Sequence, residues 1–287
     1  MASSPRISVI TPSLNQGQYI EDSILSVLQQ GYENFEHIVI DGGSRDNTLE
    51  VLRRYPHVRW ISEPDKCQSD ALNKGFKMAT GDLVGWLNSD EYYFPGALKT
   101  IAELAASNSQ ADIFYGDSIA VNQDGLLQRS RQTHDFDFGV LLYYGNFIPT
   151  DSTFFRRHLF GQGFLIDVDY RVVMDYEYFV RLAARGKVFK HSRSLLGVFR
   201  WHGANLSLQD DKRRNERLRV QRTWSRLKLP DWGYDTLTEI YRTKRVTLKI
   251  LNGMYWREWE ILRLAGRPTQ WFRKEEGRAT CARLLSF

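Results

Sequence analysis

The chain reads as an α/β protein: a mostly parallel central sheet with helices on both faces, followed by a helical C-terminal extension. Three features predict this. Over about the first hundred residues, short β-branched runs alternate with stretches whose apolar residues recur at helical spacing. Each run ends in polar or glycine residues ("TPSLN", "DGGS", "SEPDK", "NSDE"). From Asp211 onward helical spacing takes over. Strand–helix alternation of this kind places helices on both faces of parallel strands, and such sheets bind ligands at the carboxyl ends of those strands.

In order, "RISVIT" (Arg6–Thr11) is a strand and "YIEDSILSVLQQ" (Tyr19–Gln30) an amphipathic helix. "FEHIVID" (Phe35–Asp41) is the second strand; Gly-Gly then turns the chain, and Asp46 or Asn47 can cap the next helix. "HVRWIS" (His57–Ser62), "QSDALNKGFKMA" (Gln68–Ala79) and "DLVGWL" (Asp82–Leu87) repeat the pattern. Beyond Pro95, which opens the helix "PGALKTIAELAA", the pattern is mixed. "DIFYGDSIAV" and "LLQRSRQ" form a hairpin turned at "NQDG", and "MDYEYFVRLAARGK" is a helix stopped by Gly186. "TLTEIYRTKRVTLKILNGMYWREWEILRLAG" is the clearest helix of the extension, with Leu237, Ile240, Tyr241, Leu248, Leu251, Tyr255, Trp259 and Leu262 on one broad stripe.

The 287 residues suffice for one main core plus an appendage. The first residues lack a secretion signal and no window approaches the roughly 18 apolar residues of a membrane span, so a cytoplasmic protein is expected. Two distant cysteines, Cys67 and Cys281, suggest neither a disulfide framework nor a thiolate metal site. Residues 201–287 hold 19 Lys/Arg against 10 Asp/Glu, leaving residues 1–200 at −4 within a total of +5. An acidic body with a basic tail fits an anionic partner for the tail, or simply a solvated helical tail.

"GWLNSDEYYFPGAL" places Asp90 and Glu91 side by side where the fourth strand leaves the sheet. Adjacent carboxylates repel unless a cation or proton lies between them. A hard divalent ion completed by substrate phosphates is one solution, and a solvated turn capped by Asp90 is the other. Position favours the ion, because the three other polar loops end on the same edge.

At these residues the chain resembles a family 2 glycosyltransferase, an inverting enzyme of the GT-A (Rossmann-like) fold. The matching pieces are "ISVITPSLNQGQYIEDSILSVLQQ", "HIVIDGGSRDNT", "SEPDKCQSDALNKGF", "ATGDLVGWLNSDEYYFPGAL", "STFFRR", "MDYEYFVRLAARGK" and "FRWHGANLS", which run in the family's order over about residues 6–207. The resemblance implies a catalytic domain over 1–207, with a nucleotide-sugar half of about 1–110 and an acceptor half of about 111–207. Residues 208–287 are then a basic, aromatic extension.

It also implies roles. Asp90, with Glu91 and His202, would hold Mn²⁺ or Mg²⁺, and Asn88, Ser89 and Asp90 would face the donor diphosphate. Relatives as a rule read Asn-Ser-Asp-Asp, so Glu91 is one methylene longer than the family's acid. Thr11, Pro12, Ser13, Asn15 and Tyr19 match the nucleotide-binding start, Asn15 serving equally as a turn residue. Asp41 matches the acid that reads base or ribose, and Gly43 lets the backbone pass close to the nucleotide. Lys66, Gln68 and Asn73 would face the donor; Cys67 stands where most relatives have glycine. Arg200 would neutralise the leaving group. Asp175 matches the base that takes the proton of the acceptor hydroxyl, with helix capping as its other use.

The implied reaction moves a sugar from a nucleoside diphosphate donor, foremost a UDP-sugar, to an acceptor hydroxyl on a glycan or lipid-linked glycan, in bacterial surface polysaccharide or glycan synthesis. A non-catalytic sugar-nucleotide binder and a sugar nucleotidyltransferase stay as alternatives. Trp256, Trp259, Trp271 and Phe272 with the basic excess suit a peripheral contact with an anionic membrane; a packed helical cap or a homodimer contact uses the same stripe. Nucleic acid is not expected, since no recognition motif accompanies the basic residues.

Overall fold

The structure, a computed structural model, describes residues 4–203 and 210–263. Ala204 to Gln209 and the segment holding Trp271, Phe272 and Cys281 lie outside the described residues.

Strands β1 (Ile7–Ser13), β2 (Phe35–Asp41), β3 (Val58–Ser62) and β4 (Leu83–Trp86) are parallel, in the order β3-β2-β1-β4. All seven residues of β1 are buried, the polar Ser8, Thr11 and Ser13 included, because the strand is covered on both faces. Its side chains still divide by the period of two. Ile10 joins Ile38, Ile40, Leu72 and Phe76 on one face, while Ile7 and Val9 join Val27, Leu98 and Ile101 on the other.

The helices supply those partners: α1 (Ile20–Leu28) and α4 (Ala97–Ser107) on the second face, α3 (Gln68–Met78) on the first. Short α2 (Thr48–Arg53) packs with α1 against Val39 and Val58. Asp46 receives the Thr48 N–H at 3.0 Å at the start of α2, whereas Asn47 makes no side-chain cap. Gly75 lets α3 sit close to the sheet, since a Cβ there would lie 2.2 Å from Ile10 Cγ2.

The second half of the sheet was only partly legible. Two-residue β5 (Tyr92–Tyr93), the hairpin β6 (Ile113–Asn122) and β7 (Leu127–Arg131), β8 (Thr153–Arg156) and long β9 (Phe189–Trp201) extend the order to β4-β8-β6-β9-β5. Of these only the hairpin follows the sequence expectation, turned at Gly125 with φ 77°. β8 runs antiparallel to β4 and β6, and β9 parallel to β6. A π-helical turn at Val140–Tyr144 and the short helix α5 (His158–Gly161) precede α6 (Met174–Ala184). α6 stops as expected at Gly186, φ 74°.

The extension folds as α7 (Asp210–Trp224), α8 (Asp231–Leu251) and α9 (Met254–Leu262). The stretch expected as one long helix breaks at Gly253, φ 65°, because a left-handed residue cannot continue it. The predicted stripe is divided as well. Tyr241 packs 5.0 Å from Tyr143 of the π-turn, while Ile240, Leu251 and Trp259 are exposed.

Buried Glu36 on β2 stabilises the parallel half. Burial alone would raise its carboxyl, but hydrogen bonds from Ser8 Oγ (2.5 Å), the Thr80 N–H and hydroxyl (2.8 Å each) and Arg59 (2.9 Å) outweigh that and hold it at about 2. A depressed carboxylate contributes stability above its unfolded value, and that stability is lost as pH falls through the folded value. Glu36→Gln is therefore expected to remove about 2 kcal/mol at pH 7 and to flatten the decline in stability below about pH 4.5. Urea unfolding of both proteins from pH 7 to 3 checks it.

Candidate active site

The carboxyl ends of β1 to β4 open into a cavity of about 1140 Å³. Of the residues singled out from the sequence, Pro12, Ser13, Lys66, Gln68, Asn88, Ser89, Asp90, Glu91, Asp175 and His202 line it. Thr11, Asn15, Tyr19, Asp41, Gly43, Asn73 and Arg200 do not.

Those seven are engaged around it. Thr11 Oγ1 bonds the buried His37 ring at 2.9 Å. Asn15, with φ 53°, clamps the first loop to the second: its N–H donates to Ser44 Oγ at 2.7 Å, and its Oδ1 accepts the Arg45 N–H at 2.8 Å. The Asp41 carboxylate accepts from the Gly43 and Ser44 N–H groups and the Ser44 hydroxyl inside the turn, and from Ser62 Oγ at the end of β3. Asn73 uses both ends of its amide on the Ile166 backbone, 2.8 Å each. Arg200 donates to Asp22 and lies over Tyr19, whose ring in turn stacks on His202. Cys67 has extended backbone, φ −177°, that any residue adopts, so a side chain at this position leaves the loop unstrained.

The acid pair divides. "NSDE" is a tight turn in which the Glu91 N–H donates to the Asn88 carbonyl at 3.1 Å. Asn88 Oδ1 is fixed by Trp86 Nε1 (2.9 Å) and Gln68 Nε2 (2.7 Å). Asp90 Oδ2 meets His202 Nε2 at 2.8 Å, joining the end of β4 to the residue after β9. Glu91, only 1% exposed, instead accepts the Asn88 N–H on its Oε2 at 3.1 Å. Burial, then the nearby carboxylates of Asp151 and Asp90, push its carboxyl well up. Asp151 is wholly buried, accepts from the Ser118 hydroxyl and pairs with Arg131 at 3.5 Å.

A carboxylate oxygen and an imidazole nitrogen at this separation suit a divalent ion such as Mn²⁺ or Mg²⁺. Among the described residues no group of three metal-ligating side chains occurs, so phosphate and water oxygens would complete such a shell.

Asp175 stands in the first turn of α6. Its Oδ1 accepts the Tyr176 N–H and its Oδ2 the Asn146 amide, both at 2.7 Å. Burial raises its carboxyl above the ordinary range, against the pull of these two bonds. Sequence reasoning missed Asn146, which lies in a stretch with no motif, and Glu216 on α7. The Glu216 carboxylate accepts the N–H groups of Arg171, Val172 and Val173 at 2.9–3.2 Å, just before Asp175.

The half-parallel sheet, with its acid-bearing turn after the fourth strand, is the architecture of a GT-A glycosyltransferase. The model of "Glycosyl transferase family 2" matches residues 8–181, and the chain belongs to that family. It is 30% identical over 213 residues to an uncharacterized glycosyltransferase of Nostoc sp., covering 70% of this chain and 66% of that one. A PGL/p-HBAD biosynthesis glycosyltransferase of Mycobacterium tuberculosis is 31% identical over 184 residues, 62% of this chain and 70% of its own. Among solved structures, S. aureus TarS 1-349 in complex with UDP-GlcNAc superposes with TM-score 0.63 at 16% identity, over 89% of this chain and 78% of that one. The mannosyltransferase PcManGT of Pyrobaculum calidifontis, in complex with GDP-Man and Mn²⁺, gives TM-score 0.59 at 19% identity, over 84% and 70%. The GT-A fold, the helical C-terminal part and glycosyltransferase activity follow. Among the described residues, no helix is long and apolar enough to cross a membrane.

Proposed function

We propose that the protein is a metal-dependent, inverting glycosyltransferase that moves a sugar from a UDP-sugar to a hydroxyl of a glycan or lipid-linked glycan, in surface polysaccharide or glycan synthesis. The observation that carries this is one cavity lined both by the Asp90–His202 pair and by a raised, hydrogen-bonded Asp175.

Asp90 and His202 would hold Mn²⁺ or Mg²⁺, which when bound neutralises charge developing on the leaving diphosphate. Pro12, Ser13, Lys66, Gln68, Asn88 and Ser89 line the donor side; the residues clamped behind them, Asn15 and Asp41 foremost, hold the loops in shape. Asp175 takes the proton of the acceptor hydroxyl as its oxygen bonds the anomeric carbon. The bond from that carbon to phosphate breaks, and the nucleoside diphosphate leaves with the electron pair. Attack opposite the leaving group inverts the anomeric centre without a covalent sugar-enzyme intermediate. Glu91, turned onto the Asn88 N–H, supports the turn rather than the ion.

A thermal-shift screen of UDP-, GDP- and dTDP-sugars with Mn²⁺ should give the largest stabilisation with a UDP-sugar. No shift with any of them would sink the reading, and a product with the donor's anomeric configuration would remove inversion.

The exposed Trp232, Ile240, Ile250, Leu251 and Trp256 on α8 and α9, in an extension whose residues 201–287 hold 19 Lys/Arg against 10 Asp/Glu, support a peripheral contact with an anionic membrane. The intact chain is expected to float with anionic vesicles and a form truncated at Pro230 to stay behind. Equal flotation of both removes the contact.

A further inference from the structure

β7 brings two arginines to the cavity wall, Arg129 and Arg131, which stand two positions apart and so share one face of the strand. The register of the sheet explains why that face meets the cavity. Arg131 lies opposite Ser118 of β6, and Ser118 opposite Gly197 of β9. The other face of these strands, with Ile119, Val121, Leu127 and Val198, is packed as core. Gly197 makes room for the turn that carries Asp151, since a Cβ there would run into the Asp151 carbonyl oxygen.

Arg131 is held in place without being satisfied. Its guanidinium lies over the Phe199 ring, 4.7 Å from the centroid, and its Nη1 is 3.5 Å from Asp151 Oδ1. That pairing answers its charge. The buried Nη1 nevertheless makes no hydrogen bond among the described residues, and neither does Asp151 Oδ1. A donor left unmet in this way costs free energy until a ligand oxygen takes it. Arg129, in contrast, is exposed to solvent near Trp201.

The ligand must also suit the acids around it. Among those lining the cavity, Asp65 pairs with Lys74 at 2.6 Å and Glu91 accepts the Asn88 N–H, which leaves Asp90 beside His202 and Asp175 beside Asn146. Burial raises the carboxyls of Glu91 and Asp175, and in both the Arg131 charge pulls the other way, so this one guanidinium acts on the acid-bearing turn and on the start of α6. With Asp151 at its side it brings no surplus positive charge for a further anion. A neutral hydroxyl oxygen fits instead, because it accepts the N–H and adds no charge next to Asp151. On the reading above, the diphosphate sits at Asp90 and His202 and the acceptor hydroxyl at Asp175. The group that spans those two positions is the sugar in transit.

We propose that Arg131 donates to a hydroxyl of the sugar being transferred, and so fixes its anomeric carbon between the Asp90–His202 pair and Asp175. This deepens, and rests on, the glycosyltransferase reading, and it makes Arg131 a residue that selects the donor sugar.

The test is calorimetry on the full chain with Mn²⁺, comparing UDP with UDP-glucose and UDP-N-acetylglucosamine, and GDP with GDP-mannose. Within each set, the ratio of the sugar nucleotide's Kd to that of the bare nucleotide isolates the sugar. Arg131→Met/Asp151→Asn removes both charges of the buried pair together. It is expected to raise the ratio at least about tenfold for the donor that binds best, while the Kd of the bare nucleotide changes less than about twofold. Arg131→Lys keeps a cation for Asp151 but loses the planar fork, and should raise the ratio by about fivefold; it decides alone if the double variant does not fold. A ratio within about twofold of wild type in every variant that folds overturns the proposal and leaves Arg131 as the structural partner of Asp151. An equal loss for the bare nucleotide overturns it too, and assigns the guanidinium to the diphosphate. A wild-type chain that binds none of these nucleotides sinks the donor reading itself and this proposal with it, whereas wild-type binding with an unchanged ratio sinks the proposal alone.

Discussion

Asp175→Asn is expected to lower kcat for sugar transfer by about a thousandfold or more while the Kd of the donor nucleotide with Mn²⁺ stays within about twofold. The amide keeps the shape, and its oxygen can still accept the Tyr176 N–H or the Asn146 amide, so folding should survive. What it lacks is basicity. Since burial raises the Asp175 carboxyl, the wild-type rate should fall on acidification at a pH above the ordinary carboxylate range. The sign follows from the base being active only when deprotonated. Asn146→Ala tests the same geometry from the other side. Removing a bond that favours the charged form raises the Asp175 carboxyl further, so the acid limb of the pH–rate profile should move to higher pH, with kcat down about tenfold. An Asp175→Asn protein that transfers sugar at the wild-type rate would remove the residue from the mechanism.

The second large effect separates the two neighbouring acids. Asp90→Asn should lose metal-dependent turnover by about a hundredfold or more and weaken nucleotide binding only when Mn²⁺ is present. Glu91→Gln should keep activity within about threefold, because a buried carboxyl that burial and two neighbouring carboxylates hold toward its neutral form resembles an amide, and the Gln oxygen can accept the Asn88 N–H as Glu91 Oε2 does. Parallel steady-state assays with and without EDTA decide this. Equal losses in both variants would return Glu91 to the metal.

Much of the parallel half was legible. β2 coincides with the predicted Phe35–Asp41, and β1, β3 and β4 differ from expectation by one or two residues at their ends. Periodicity and turn chemistry are local, and in a sheet buried on both faces nothing contradicts them. β8 and β9 were not read because short or long strands in a mixed sheet are defined by their partners rather than by their own pattern. The long C-terminal helix failed for a local reason that was visible: the Asn252-Gly253 pair is a stop signal inside an amphipathic stretch.

The site was legible as a set of residue types and not as an arrangement. His202 and Asp90 are 112 positions apart, and Asn146 and Asp175 are 29 apart; no spacing rule joins either pair. Glu216 reads in sequence as one acid in a basic helix, yet it caps the start of the helix that carries Asp175.

The sequence by itself therefore determined the α/β class, the edge at which four polar loops gather, and the family, because these rest on local periodicity and on motifs in order. Only the tertiary structure decided that Asp90 faces His202 while Glu91 turns beneath the loop, that Asp41 is taken up by backbone N–H groups and serine hydroxyls and Asn73 by backbone, and that α7 brings arginines to the cavity. Burial, hydrogen-bond partners and the charges around a group are set by segments distant in the chain, and those three determine what a side chain can do.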